Sequence, residues 1–247
     1  MIAFENKPQL GSGIFTIREV ASILRIPYPK VHRWVKENWD GRLGKQFQTQ
    51  YSWMTEGSRA VSFHTVVELY FMIQLAEKGV KTAEVLLAHQ KLSKIYGTHF
   101  PFAQKQVLEE IQTDSKRVYW KRGEDIVSLN GSDQFNLNIM RVFFKKLEFG
   151  DGDVVSKLWP LGRENAVVID PARKFGHPII EGKNIYPETI FEHFKAGDPI
   201  PYIANIYQIT EKEAKDSAEF CDFSLLMKKN KVNYNCKPKL GNLQNHL

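Results

Sequence analysis

The chain has 247 residues, 43% of them hydrophobic and 12% aromatic, with a net charge of +6. That content describes one large domain or two small ones able to bury a core. It excludes a membrane protein, because no apolar run approaches the ~20 residues that span a bilayer. The first ten residues carry Glu5 and Lys7 and lack the apolar stretch of a secretory leader. Two cysteines, Cys221 and Cys236, are too few for a disulfide framework, so a reduced, cytoplasmic protein is expected.

In chain order, Thr16 with Glu19 three residues later predicts a capping box opening a helix over 17–24. Val20, Ala21 and Leu24 share one face of it. Arg25-Ile26-Pro27 breaks that helix, and a second starts near Tyr28 or Pro29, with Val31, Trp34 and Val35 facing inward. Gly41 and Gly44 then read as a loop, and strands over 47–54 and 60–63 flank Thr55-Glu56-Gly57-Ser58 as a hairpin. Residues 66–78 form a helix apolar nearly all round, expected to be buried and ended by Gly79. An amphipathic helix covers 82–96. Short strands follow over 109–129, a helix over 135–146, and strands over 154–160 and 166–169. A Gly- and Pro-punctuated loop over 176–185 leads into helices 187–196, 200–207 and 211–221. The resulting fold class is mainly α with small β elements: an N-terminal winged helix-turn-helix plus a C-terminal tri-helical, helix-turn-helix-like module. The expected domains are 1–105 (head and following helices), 106–169 (a mixed α/β middle), 170–227 (the tri-helical module) and 228–247 (a basic, disordered tail).

Charge is unevenly spread. Residues 1–60 carry +4, residues 61–169 +1, residues 170–227 −4 and the tail from Lys228 +5. Basic ends suit a polyanion, and the acidic stretch suits a protein partner.

The helix pair over 15–38 is the most informative unit. A helix-turn-helix braces with one helix and lays the second in the major groove, which asks for an apolar inner face and outward donors. Lys30, His32, Arg33 and Lys36 are those donors, with Tyr28 at the helix start. Tyr51 and Arg59 on the hairpin are expected to support them from a wing; Trp53 there suits a wing or the core equally. No catalytic constellation is present: the seven histidines are scattered, no C-x-x-C occurs, and Gly11-Ser12-Gly13 lacks the Lys-Ser/Thr of a phosphate loop. The reading is therefore not an enzyme, with no cofactor and no metal. His177, before Pro178, and Cys221 read as structural groups.

The helix pair, the hairpin and the string Ala60-Val61-Ser62-Phe63-His64-Thr65-Val66-Val67-Glu68-Leu69 together resemble the MerR-type winged helix-turn-helix. Gly97-Thr98-His99-Phe100-Pro101-Phe102-Ala103, then Leu158-Trp159-Pro160-Leu161-Gly162-Arg163, Val167-Val168-Ile169-Asp170-Pro171 and Phe175-Gly176-His177-Pro178-Ile179-Ile180-Glu181-Gly182 resemble bacterial proteins that join such a head to a particular carboxy-terminal module. That module is family 433 of the domains of unknown function, the VapB-like antitoxin module. One departure lies in Gly182-Lys183-Asn184-Ile185-Tyr186, where the family reads Gly-Thr-Arg-Ile-Pro; Lys183 restores a charge there but not a bidentate fork.

The resemblance implies a DNA-binding antitoxin of a type II toxin–antitoxin pair, repressing its operon on double-stranded DNA as a homodimer and binding a PIN-like nuclease toxin. It places the partner contact on the module, at Lys183, Asn184, Tyr186, Glu211 and Lys215. Two alternatives stay open: a MerR-type regulator answering to a small ligand near the helices of 66–96, and a protein-interaction adaptor that binds no DNA.

Overall fold

The computed structural model describes residues 11–55, 57–77, 80–113, 118–122, 125–128 and 143–222. Gly79, the first part of the helix expected over 135–146, and the tail lie outside the described residues. The chain opens with β1 (Phe15–Thr16) and α1 (Ile17–Leu24). Thr16 is extended, its hydroxyl accepts from the Glu19 amide at 3.3 Å, and the Glu19 carboxylate accepts from the Thr16 amide at 2.7 Å. The expected capping box is present, satisfying two of the orphan donors at the helix start. Arg25, in the left-handed region at φ 57°, ends the helix.

The second helix, α2 (Tyr28–Trp34), begins where expected, but the loop predicted after Asn38 does not exist. The helix continues as a π-helical stretch, Val35–Leu43, and as α3, Gly44–Phe47. Val35, Trp39 and Leu43 recur every fourth residue and are all fully buried, so the stretch keeps one apolar face against the core. Gly44 serves close approach rather than a turn: a Cβ there would lie 2.8 Å from the Thr49 carbonyl oxygen. The first hairpin strand is accordingly shorter than predicted, β2 (Ser52–Thr55), and the second, β3 (Ser58–Val61), keeps four residues but lies two residues earlier. β3 lies between β1 and β2 in a three-stranded antiparallel sheet, with Phe15 opposite Val61 and Met54 opposite Arg59.

Behind this sheet lie α4 (Phe63–Glu77) and α5 (Thr82–Tyr96). α4 is buried almost throughout, as its apolar sequence requires. Its Glu68 has no exposed surface: one carboxylate oxygen accepts the Phe102 amide at 2.7 Å, and the other stands 3.1 Å from His89 Nε2 on α5. His89 Nδ1 in turn meets the Ser93 hydroxyl at 3.2 Å.

After α6 (Lys105–Glu109) come the expected short strands, β4 (Ile111–Thr113), β5 (Val118–Arg122) and β6 (Asp125–Ser128), which pair in that order as an antiparallel sheet. β7 (Leu147–Phe149) then pairs with β8 (Val155–Leu158). Phe143, Leu147, Val155, Leu158 and Ile169 belong to the same buried cluster as Phe15, Val31 and Phe71, so this middle stretch shares the core of the head.

The carboxy-terminal part holds β9 (Val167–Val168) and β10 (Ile179–Ile180), paired antiparallel, then α7 (Pro187–Ala196), α8 (Ile200–Tyr207) and α9 (Glu211–Cys221). The stretch read as a loop over 176–185 thus contains a short strand, while the three helices keep their expected bounds. A smaller core of Ile180, Ile190, Ile203, Ile209 and Ala214 joins them. A second capping box, Thr210 with Glu213, starts α9. The architecture is mainly helical with small sheets.

Candidate nucleic-acid interface

α2 turns Val31 and Trp34 into the core and leaves a polar outer side. Arg33 and Lys36, one helical turn apart, are exposed, and Lys30 rests its ammonium 5.8 Å from the Trp34 ring. Tyr28, 48% exposed, stacks on His32 one turn later with ring centroids 5.8 Å apart. Tyr28, Lys30, His32 and Arg33 on α2, and Lys36 in the first turn of its π-helical continuation, therefore share one accessible surface. Tyr28 and His32 form its edge toward the hairpin.

Between that edge and the hairpin runs a polar cleft of about 250 Å³. Thr16, Arg18, Tyr28 and His32 line one side; Met54, Gly57, Ser58 and Arg59 line the other. Arg18 and Ser58 are exposed, as is Met54 at 62%. These three were missed in the sequence. Met54 and Arg59 are cross-strand partners, so the hairpin register, once fixed at its four-residue turn, could have placed them on one face.

Arg59 lines the cleft and also ties the hairpin down. Its guanidinium lies 2.7 Å from Asp40 and 2.5 Å from the Ser52 hydroxyl. Asp40, in the π-helical stretch, accepts from the amides of Tyr51 at 3.2 Å and Ser52 at 3.1 Å. One carboxylate thus sets the hairpin against the second helix.

Tyr51 leaves the predicted contact set. It is fully buried, its hydroxyl donates to the His99 carbonyl at 3.3 Å, and its ring packs edge-on against Phe100. Burial drives its phenol far above the ordinary range. It precedes β2 and serves the core, while Trp53 within the strand is half-buried.

The residues expected to hold a partner differ in exposure. Asn184, Glu211 and Lys215 are exposed, the last two as an ion pair at 3.5 Å. Lys183, partly exposed, donates to the Gln208 carbonyl at 2.7 Å. Tyr186 packs edge-on against His177 at 4.9 Å, where the head meets the carboxy-terminal part.

Three polar links cross that joint. The Ile14 amide donates to the Phe175 carbonyl at 3.0 Å. The Arg25 guanidinium donates to the Glu219 and Phe220 carbonyls at 3.0 and 3.3 Å, at the C-terminal end of α9 where a cation is favoured. His177 stands between Glu188 of α7, 3.2 Å away, and Glu19 of α1, 3.9 Å away. Gly13 and Gly176 make the close approach possible, since a Cβ at Gly176 would sit 2.5 Å from the Phe15 ring. Cys221 near this joint is buried, and its thiol is pushed up to about 12, chiefly by burial, which makes it a packing group.

An Asp198–His193–Tyr207 chain, with contacts of 2.7 and 2.9 Å, closes the corner between α7 and α8. Among the described residues no group of three His, Cys, Asp or Glu side chains could hold a metal ion, and no helix is long and apolar enough to cross a membrane.

Residues 167–221, the small paired sheet and the three helices, match the family model described as protein of unknown function DUF433. The resemblance read from Val167 onward agrees with that match. Over 227 residues the chain is 21% identical to the Mycobacterium tuberculosis (strain H37Rv) protein named "Putative antitoxin VapB45", covering 83% of this chain and 92% of that protein. The crystal structure of Rv2018 from Mycobacterium tuberculosis superposes with a TM-score of 0.63 at 17% identity, over 87% of this chain and 99% of that one. The fold is therefore shared along nearly the whole length.

Proposed function

We propose that this protein is the DNA-binding antitoxin of a toxin–antitoxin pair, with a winged helix-turn-helix of the MerR kind as its head. The observation that carries the DNA half is the accessible face of α2 and of the turn that continues it: Arg33, Lys36, Lys30, His32 and Tyr28 stand together beside a hairpin that Asp40 fixes at its base. A charged, hydrogen-bonding helix face flanked by a braced hairpin suits a major groove and an adjacent backbone. Arg33 and Lys36 contact phosphates or guanine edges, Arg18 and Ser58 hold the backbone across the cleft, and a homodimer pairs two heads on a two-fold operator. Arg59 contributes less, since Asp40 already neutralises it.

The antitoxin half rests on likeness: the DUF433 match, and the relative named as an antitoxin, which aligns along most of both chains. The module, with its excess of acid over 170–227, takes a toxin of the PIN-like nuclease kind. Asn184, Glu211 and Lys215 are the exposed members of the expected contact set. The protein acts in the cytoplasm, without catalysis of its own.

The test of the DNA half is fluorescence-anisotropy titration of the full chain with duplex DNA from its own promoter, at several salt concentrations. Specific binding should exceed binding to scrambled duplex by at least about 10³-fold. Equal affinity for both duplexes, or none at low salt, would overturn it. Co-purification with the product of the neighbouring reading frame tests the antitoxin half separately.

A further inference from the structure

We propose that His177 is a proton-operated clasp joining the head to the carboxy-terminal module, through Glu19 on α1 and Glu188 on α7. The two carboxylates belong to different parts of the chain, and the imidazole is the group between them. Its Nε2 lies at hydrogen-bond distance from Glu188, 3.2 Å, and its Nδ1 lies within ion-pair range of Glu19, 3.9 Å. Glu19 is no ordinary surface acid: its other oxygen closes the capping box that starts the first helix of the head.

The ring is half-exposed at the wall of a cavity of about 540 Å³ whose apolar sides come from both parts, Phe15 and Ile23 from the head and Pro178 and Tyr186 from the module. The turn before it is strained. Lys174 and Phe175 both sit in the left-handed region, at φ 47° and 57°, and Phe175 is 65% exposed at the rim. Consecutive non-glycine residues there are costly and persist where the surroundings hold them. The groups facing the ring are few: Glu19 on α1, Glu188 on α7, the Tyr186 ring, and Lys174, whose ammonium is occupied over that ring at 5.4 Å. Glu188, Glu192, Lys195 and Arg25 also lie within electrostatic reach of the Cys221 thiol of α9.

Protonated, the imidazolium presents an N–H to each carboxylate and holds both. Neutral, it keeps one N–H. The shorter bond to Glu188 retains it, so an Nδ1 lone pair then faces the Glu19 carboxylate and the arm to the head is released. The hydrogen bond to Glu188 raises the histidine above its ordinary value of 6.5, against the opposing effect of burial. The sign follows: the clasp is fully closed below about 6.5 and opens as the pH rises through the raised folded-state value. The links from Ile14 and from Arg25 do not titrate in this range, so the joint loosens without coming apart.

Two measurements on the full chain test this. In imidazole NMR titrations, with the His177 signal assigned by its loss in His177→Gln, the ring should titrate above 6.5 in the parent protein and closer to 6.5 in Glu188→Gln. In hydrogen exchange corrected for intrinsic rates, residues 17–24 should open about two- to fivefold more readily at pH 8.5 than at pH 6.0, the range of a partly exposed ion pair. His177→Gln should show the faster rate at both pH values, and circular dichroism will establish that both variants fold. A ring that titrates at or below 6.5, or exchange over 17–24 that responds to pH equally in the parent and in His177→Gln, overturns the clasp.

Discussion

Replacing Asp40 by alanine tests whether one carboxylate sets the hairpin against the second helix. The substitution removes the acceptor of two amides, Tyr51 and Ser52, in residues that are 0% and 5% exposed. Each buried amide left unsatisfied costs about 1–3 kcal/mol. The lost Arg59 contact adds little, because that guanidinium reaches solvent and can be hydrated. The expected loss is about 2–6 kcal/mol, which for a chain of this size lowers Tm by roughly 4–24 °C. Asp40→Asn keeps an amide oxygen for the two N–H groups and should recover at least half of that. Calorimetry gives the Tm, and hydrogen exchange should show the excess opening concentrated in residues 52–61. An Asp40→Ala protein that melts within about 1 °C of the parent, or opens no faster over the hairpin, refutes the reasoning.

Glu68→Ala should also destabilise, by about 1–3 kcal/mol in urea denaturation for the stranded Phe102 amide; an unchanged stability contradicts that. Tyr51→Phe should cost only about 0.5–1.5 kcal/mol, the net worth of its bond to the His99 carbonyl, and leave DNA affinity unchanged. A DNA defect in the folded variant would return Tyr51 to the interface.

Wherever a local rule governed, the sequence was legible. The capping box at Thr16 and the proline at the start of α2 each rest on neighbours a few residues apart; the second box, Thr210 with Glu213, obeys the same local rule and was overlooked. The failure after Asn38 came from taking Gly41 and Gly44 as turn residues. Both lie within a continuous helix, and the close approach of Gly44 to the Thr49 carbonyl depends on packing that no propensity encodes. Tyr51 was misplaced for the same reason, since its partners His99 and Phe100 lie about fifty residues further on. On α2 the outward residues followed from helical spacing alone. The far wall of the cleft needed the strand register, and the joint needed the tertiary fold: Arg25, Glu19 and His177 meet groups more than 150 residues away.

The central claim is that the outer face of α2 reads duplex DNA, and the salt dependence of binding tests it most directly. With promoter duplex, log K should fall linearly with log salt, by about 0.9 for each phosphate neutralised. Arg33→Ala and Lys36→Ala should each weaken binding, and whichever of them contacts phosphate should lower that slope by about 1. Binding that is steep in salt and indifferent to both substitutions would contradict the assignment of this face.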